Sequence, residues 1–521
     1  MNENREMNCE EWNRHRMEAW QSREEELRLQ RVEAERQRAE EEKKSAALFG
    51  KLAAASLLYA VIYTVCLYKN TMGLFVLFWI GATIFYINYV LRIFQTERKR
   101  GSAVYTAVIG LLGVSTVLTG NEWIVWLNYA AVFLLVVALV LHNFCQDADW
   151  DLGKYAAEIA AALCGAMEFV TKPFTDGAAW RKSRVQKERG KGNYIAAGIG
   201  IAIPCVLFLG SLLVSADMVF ADMVLGFFET LRFPTRIFGI LLMLLFGFFS
   251  SYCGVRYVEY HAPQAKMKEH WVGEPVLAVT VTSAIALLYV VFCGVQISYL
   301  FVGGRKLPEG VTYAEYARSG FFQLLFVCVL NLMLVLGIRK YFRENRLLSG
   351  ILLVISACTF VMTASSAYRM LLYISVYHLT FLRVAVLVAL AAIALLMCGV
   401  VLAIAKPGFP LLRYGAAVVG AVYLIFSFSR VDYVIASYNL AQMERQGSGA
   451  DWEYVAYLST DAAPAVERYC GGYAAEQKIP EDWHAVLYRV YRGENEPVTE
   501  DIGLRNFNLS HYRAHKIMEQ R

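Results

Sequence analysis

The chain has 521 residues, of which 57% are hydrophobic and only 18% are charged, and its formal net charge is +5. Charged residues concentrate at the two ends and in short gaps between apolar runs, which argues against a soluble protein of this size. A helix needs about 20 apolar residues to cross a bilayer, and several runs reach that length. The sequence therefore predicts an all-α, polytopic transmembrane helix bundle.

The first 45 residues are rich in charge and contain no proline or glycine. Acidic and basic residues recur four positions apart, as in Glu10–Arg14 and Glu24–Arg28, and such pairs stabilise a solvated helix. We expect a charged cytosolic helix here. A partner-binding or oligomerising helix is the alternative.

Apolar run length predicts about eleven spans, of which the third is short. The predicted spans are Ala46–Tyr68, Thr71–Phe94, Ser102–Thr119, Glu122–Phe144, Tyr194–Ala216, Ile237–Val258, Val276–Phe301, Gly320–Ile338, Leu347–Ala367, Val384–Ala405 and Leu411–Phe428.

The gaps between spans divide the chain into five predicted domains. These are a cytosolic helix (1–45), four N-terminal spans (46–144), an amphipathic and basic cytosolic linker (145–193), a seven-span core (194–430) and a small helical extracytoplasmic domain (431–521). In the last of these, Asp461 is expected to cap the helix that follows it. Lys and Arg are more abundant in the gaps that this arrangement places in the cytosol, so we expect the N-terminus inside and the C-terminus outside.

Eleven cysteines are present, and none lies in a CxxC pair. Several lie inside apolar runs, such as Cys66, Cys293 and Cys398, where we expect small apolar filling residues. The pattern indicates no disulfide framework and no zinc site, and we expect no metal and no cofactor. Lys and Arg form no stripe with interleaved aromatic residues, so we expect no nucleic-acid partner.

Two stretches place charge beside predicted spans on the outer side. Thr312 to Glu315 fits a capping box, so that Glu315 and Arg318 fall at headgroup level, where a cap and a snorkelling arginine are the plain interpretation. The second stretch spaces polar residues three or four apart. On one helix they would form a single polar stripe: Ser366, Arg369, Tyr373, Tyr377, Thr380 and Arg383.

Three acidic residues, Asp217, Asp222 and Glu229, follow the fifth predicted span on the same outer side. The outer charges could form structural ion pairs. They could instead bind an anionic lipid, an envelope precursor or a protein partner, since guanidinium suits phosphate and carboxylate. The candidate ligand-binding residues are Glu315, Arg318, Arg369, Tyr373, Tyr377 and Arg383.

We expect a non-catalytic role, and two alternatives remain. A secondary transporter would need a water-filled cavity that reaches Gln296, Gln323 and Asn331. A membrane enzyme acting on a lipid-linked substrate would need an acid or base at interface depth, for which Glu315 is the candidate.

Several motifs resemble a bacterial integral-membrane family, the domain of unknown function 4153 with its relative 4173. They are QISYLFVGGRKLPEGVTYAEYARSGFFQLL, SAYRMLLYISVYHLTFLR, SAD at Ser215–Asp217, VDYVIASYNL, LSTDAAPAVERY and NFNLSHYRA. The resemblance covers about Tyr194 to Ala514 and leads us to expect glycine where His378 stands. It implies a protein of the bacterial plasma membrane and cell envelope, without an established activity.

Overall fold

The structure, a computed structural model, describes most of the chain. The described residues are 9–148, 150–184, single positions between 202 and 214, 216–230, 235–262, 273–298, 321–343, 345–406, 408–446, 452–473 and 503–519. Within them the protein is helical and contains no strand, apart from one isolated bridge between Gly273 and Phe342. The predicted all-α class is confirmed.

Seventeen α-helices are described, and we number them in chain order. They are α1 Cys9–Leu67, α2 Phe75–Ile93, α3 Ser102–Leu118, α4 Glu122–Phe144, α5 Leu152–Glu168, α6 Lys172–Arg184, α7 Met218–Thr230, α8 Thr235–His261, α9 Pro275–Ile297, α10 Phe321–Tyr341, α11 Arg346–Tyr377, α12 Phe381–Ala405, α13 Leu411–Phe428, α14 Val431–Gln446, α15 Trp452–Ala456, α16 Ala463–Tyr473 and α17 Leu509–Glu519.

Nine of the described helices are long and apolar enough to cross a membrane. They correspond to nine of the eleven predicted spans. The short third span is the 17-residue helix α3, and most of the predicted fifth span lies outside the described residues. The protein is therefore a polytopic helical membrane protein whose described part contains nine candidate spans.

Side-chain caps fix where two of these spans begin. The Oδ1 atom of Asn121 accepts from the Ile124 amide at 3.0 Å at the start of α4. Asn345 accepts in the same way from the Leu347 amide at 3.1 Å at the start of α11. A capping oxygen satisfies one of the free amides of a helix N-terminus, so these boundaries are set locally by the sequence.

The chain divides into two compact units. The first comprises Met1–Tyr68, Phe85–Arg98 and Ala160–His261, and the second comprises Lys69–Ile84, Lys99–Ile159 and Ala262–Arg521. Within the first unit, α1 packs against α6 and α8. Within the second, α9 to α13 pack as neighbours, and α3 packs against α4 and α13.

A buried ion network joins the helices of the first unit. The Nε atom of Arg256 lies 3.1 Å from Asp176, and its Nη1 atom lies 2.8 Å from Glu259. The third guanidinium nitrogen donates to the Ser45 hydroxyl at 3.0 Å, and the Tyr252 hydroxyl donates to Asp176 at 2.8 Å. Because each nitrogen of the guanidinium has an acceptor, this buried charge is well compensated.

Candidate functional site

A buried polar stripe follows one face of α11 through much of its length. Its members are Ser356, Thr359, Thr363, Ser366 and Arg369, all 8% exposed or less. They are spaced three or four residues apart, so they lie on one side of the helix. The predicted outer stripe therefore continues inward from Ser366 by about ten residues, or roughly 15 Å at 1.5 Å per residue.

The inner part of this stripe is satisfied within the bundle. The hydroxyls of Ser356, Thr359 and Thr363 each donate to the carbonyl four residues earlier at 2.8 Å. Asn331 of α10 donates to the Thr359 hydroxyl at 3.0 Å and accepts from Tyr289 of α9 at 2.7 Å. Polar side chains of this kind commonly join helices within a membrane.

Towards the C-terminal end of the stripe, Arg369 bonds to the side-chain amide of Gln296. Its Nη2 atom donates to the Gln296 side-chain oxygen at 3.2 Å, and the Ser365 hydroxyl donates to the same oxygen at 2.7 Å. The neighbouring Ser366 hydroxyl is buried and has no hydrogen-bond partner among the described residues. This end of α11 therefore combines a buried guanidinium, a buried amide and an unsatisfied hydroxyl.

The predicted single-helix stripe from Ser366 to Arg383 is wrong in one respect, because the helix ends at Tyr377. His378 has φ 61° and ψ −176°, a conformation that is essentially restricted to glycine. The next helix begins at Phe381. The glycine that the family resemblance led us to expect at this position would suit the observed backbone.

The turn nevertheless places Arg383 beside Tyr373 and Tyr377, which belong with it to the predicted stripe. Its guanidinium lies 4.3 Å from the centroid of the Tyr373 ring, and the Tyr373 and Tyr377 rings are 5.0 Å apart. Nη1 of Arg383 donates to the carbonyls of Tyr377 and His378, at the end of α11. Arg383 thus has a structural role at a helix C-terminus, where a cation is favourable.

The structure does not test whether the other predicted site residues join this group. Glu315 and Arg318 lie outside the described residues, as does the proposed capping box, and so does the side chain of Glu229. Asp217 and Asp222 are exposed and belong to the first unit, whereas Arg369 and Arg383 belong to the second. Asp217 accepts from the Phe220 amide at 2.7 Å and so caps α7.

Sequence reasoning missed a second group of polar residues in the C-terminal segment. We call residues 431–446, 452–473 and 503–519 the C-terminal clamp. In the clamp, Asp461 accepts from the Thr119 hydroxyl at 2.5 Å and from the Gly120 amide at 3.2 Å. Asp432 accepts from the Asn121 side chain at 2.8 Å. Both carboxylates are therefore bonded to the turn between α3 and α4.

Asparagines of the clamp bind the backbone of other turns. Asn508 donates to the carbonyls of Met72, Thr116 and Thr119 at 3.1, 3.3 and 2.9 Å. Asn439 accepts from the Leu379 amide at 2.9 Å and donates to the Leu379 carbonyl at 3.0 Å. The clamp thus joins the ends of several membrane helices through main-chain atoms.

The predicted cap at Asp461 is wrong. Ser459 accepts from the Asp461 amide at 3.3 Å, and the Asp461 carboxylate bonds instead to the turn at Thr119. Its Oδ1 atom is buried without a partner among the described residues.

Burial raises the pKa of the nearby Asp432 carboxyl, and the negative charge of Asp461 adds to that effect. The signal that could have identified this group was the set of motifs VDYVIASYNL, LSTDAAPAVERY and NFNLSHYRA, which contain these residues.

Two cavities lie away from the amides on which the transport alternative depends. One, of about 30 Å³, is lined by residues that include Ile338, Phe342 and Leu352. The other, of about 340 Å³, is a groove in the first unit, lined by residues that include Ala53 and Phe248. Gln296 and Asn331 line neither cavity, and Gln323 is exposed on the helix surface.

A metal site built from three or more His, Cys, Asp or Glu residues has no support in the described ranges. No group of three or more His, Cys, Asp or Glu residues among them is arranged to hold a metal ion. Glu315, the candidate for catalysis, lies outside these ranges.

The sequence matches one family model over most of its length. The model is described as Domain of unknown function (DUF4153), and it matches residues 106–469. The match begins within α3, earlier than the resemblance indicated, and it ends before the NFNLSHYRA motif. No curated protein and no solved structure matches the chain significantly. Because the match covers more than half of the chain, the protein belongs to the DUF4153 family.

Proposed function

We propose that this protein binds an anionic lipid or envelope precursor at the outer face of the bacterial plasma membrane. The N-terminus would lie in the cytoplasm and the clamp outside, as the distribution of Lys and Arg favours. The ligand would present phosphate or carboxylate to Arg369 and Arg383 and an apolar part to the bilayer. Tyr373 and Tyr377 would line the entrance.

The burial of Arg369 is the observation that carries this proposal. The residue is 8% exposed within a membrane-spanning helix, and one of its partners is the amide of Gln296. Ionisable residues at such positions are costly and mark ligand or ion sites more often than lipid-facing surfaces. An anion bound at this position would accept from the guanidinium, and the free Ser366 hydroxyl could donate to it.

The position of the site relative to the helix end favours an amphiphilic ligand. Arg369 is two helical turns, or about 12 Å, before the end of α11 at Tyr377. Tyr377 is 48% exposed, as expected for an aromatic residue at a membrane interface. A headgroup could therefore reach Arg369 while the acyl chains remain in the surrounding bilayer.

Residues outside the described ranges complete the proposal. Arg318 stands three residues before Phe321, which packs in one cluster with Met370 and Ile374 of α11. We include Arg318 and Glu315 in the site for this reason. The proposal also keeps three candidate acidic partners for the arginines: Asp217, Asp222 and Glu229.

A protein partner at the cytosolic side is a further part of the proposed function. Helix α1 extends from Cys9, whereas its candidate span begins only at Glu42, so about 50 Å of helix precedes the span. Met17 and Trp20 on this part are 57% and 62% exposed. Exposed apolar residues of this size on a charged helix support partner binding.

Native mass spectrometry of the protein, extracted gently from its own membrane, tests the anionic ligand. We expect a specific bound mass in the wild type and in Arg413→Gln, which changes an exposed arginine near the start of α13. We expect that mass to be lost in Arg369→Gln and reduced in Ser366→Ala, which removes one hydroxyl with little effect on packing.

Thermal unfolding of each variant separates binding from folding. An Arg369→Gln variant that is as stable as the wild type and retains the bound mass would contradict the proposal. So would bare protein in all preparations. If Arg369→Gln does not fold, Ser366→Ala decides: unchanged ligand occupancy in that variant would mean that the outer arginines form structural contacts only.

A further inference from the structure

Sulfur-containing side chains meet in one buried cluster in the second unit. Five of the six buried members of this cluster are Cys293, Cys328, Cys358, Met362 and Met397, and the sixth is Ile393. The chain has 11 cysteines and 15 methionines in 521 residues, so about one residue in twenty contains sulfur. Five of six is therefore far above what random placement would give.

Four spanning helices contribute to this sulfur cluster. Cys293 lies on α9, Cys328 on α10, Cys358 and Met362 on α11, and Met397 on α12. Cys358 and Met362 are four residues apart and so share one face of their helix. The members are between 0% and 6% exposed. Sulfur-containing side chains from different parts of the sequence thus meet in one place inside the bundle.

The thiols lie close to one another and to the polar stripe of α11. The Cys293 thiol donates to the Cys358 carbonyl at 3.5 Å and is close enough to the Cys358 thiol for a side-chain hydrogen bond. The Thr363 hydroxyl donates to the Cys328 sulfur at 3.4 Å. The cluster is therefore continuous with the hydroxyl groups that lead towards Ser366.

This set of donors is suited to a soft metal ion. Thiolate and thioether ligands select Cu(I), whereas carboxylate, carbonyl and water suit harder ions. Structural zinc sites almost always use four ligands from cysteine, histidine and carboxylate. In the described part of the chain, no three or more such residues are arranged for a metal ion. Two thiols with thioethers match a lower coordination number.

Charge balance favours a monovalent ion in this apolar interior. One thiol loses its proton when it binds the ion, so that Cys–SH and M⁺ give Cys–S–M and H⁺. A second thiol or a thioether can donate a lone pair without losing a proton. The net charge of the site is then unchanged, which avoids the cost of burying a charge in the bilayer core.

We propose that Cys293, Cys358 and the neighbouring thioethers of Met362 and Met397 form a binding site for Cu(I). Cys328, which accepts from Thr363, packs in the same cluster and is not counted among the ligands. The site is separate from the proposed anion site at Arg369. The proposed Cu(I) binding is therefore independent of the proposed binding of an anionic ligand.

Anaerobic competition between the full-length protein in detergent and a coloured Cu(I) chelator tests the site. We expect the wild type to withdraw one equivalent of Cu(I) with release of protons. Cys293→Ala/Cys358→Ala should lose this equivalent. The matched control Cys66→Ala/Cys253→Ala, which removes two buried thiols from spanning helices of the first unit, should keep it.

A volume-conserving variant keeps the test decisive if the double alanine variant does not fold. Met362→Leu/Met397→Leu preserves the apolar core, and we expect it to weaken Cu(I) binding by at least about tenfold. Failure of the wild type to compete for Cu(I) would overturn the proposal. The cluster would have a packing role only if Cys66→Ala/Cys253→Ala lost Cu(I) binding to the same extent. The same conclusion would follow if the methionine variant kept its Cu(I) affinity while the cysteine variant folded poorly.

Discussion

The guanidinium of Arg383 lies over the ring of Tyr373 although the two residues belong to different helices. This contact is possible because the chain reverses within three residues, 378 to 380, between α11 and α12. Arg383 also caps the carbonyls at the end of α11. The arginine therefore stabilises the same turn whose backbone is strained at His378.

Replacing His378 with glycine should stabilise the protein. The residue has a positive φ in a region that costs a non-glycine residue about 1–3 kcal/mol. Glycine loses more backbone entropy on folding, so we expect a net gain of about 1 kcal/mol in the free energy of unfolding. His378→Ala, which keeps the unfavourable backbone, is the control. Thermal unfolding in detergent would contradict this account if the glycine variant melted below the alanine variant.

Removing the side chain of Asn508 should release the clamp. This side chain bonds three carbonyls and two amides, so Asn508→Ala leaves several buried groups without partners. We expect a loss of about 2–4 kcal/mol. Arg513→Ala, at an exposed position of the same helix, should change stability by less than about 0.5 kcal/mol. Comparable losses in the two variants would show that the asparagine bonds are not responsible.

The raised pKa of Asp432 predicts how stability depends on pH. Burial raises the folded-state pKa of Asp432 above the ordinary value of 3.8, so its protonated form is favoured by folding. Its contribution to the free energy of unfolding is therefore complete below pH 3.8 and is lost as the pH rises through the folded-state pKa. One group can change stability by at most about 1.4 kcal/mol per pH unit. The groups that face Asp432 are Asn121, Ser459 and Asp461, with Arg430 near the last.

Asp432→Asn isolates this effect. The difference in melting temperature between variant and wild type should increase as the pH is raised from 4, since only the wild type acquires a buried charge. Asp222→Asn, at an exposed position in α7, should show no such trend. A constant difference between Asp432→Asn and the wild type across the pH range would exclude Asp432 as the titrating group.

Breaking the buried ion network of the first unit should be costly. Arg256→Met removes the cation bound to Asp176 and one of the two bound to Glu259, which keeps Lys44 at 2.7 Å, and we expect a loss of about 3–5 kcal/mol. Arg256→Met combined with Asp176→Leu should recover part of it. Lys182→Ala removes an exposed pair with Glu42 and should cost less than about 1 kcal/mol. An additive effect of the two network substitutions would contradict direct coupling between them.

The spans were predictable, whereas the contacts that form the sites were not. Apolar run length is a local property, and it predicted spans at α9 to α13, although α11 continues to Tyr377 beyond the predicted end at Ala367. The sequence left open whether the stripe bends at His378, because residues on either side of it keep helical spacing. The bond between Arg369 and Gln296 joins residues 73 positions apart, and nothing in the local pattern indicates it. The motifs that resemble the family marked Asp432, Asp461 and Asn508 without revealing that they meet.

The clamp also makes closure of one end of the bundle depend on the last part of the chain. Asn508 follows Thr119 by 389 residues, and it bonds to the carbonyl of that residue. At a synthesis rate of about 5–20 residues per second, roughly 20–80 s pass between the two. Throughout this interval the turn between α3 and α4 lacks Asn508, and for most of it the turn also lacks Asp432 and Asp461. Synthesis of Asn508 is therefore the event that joins these helix ends, and a product terminated before that residue would enter the membrane with that end open.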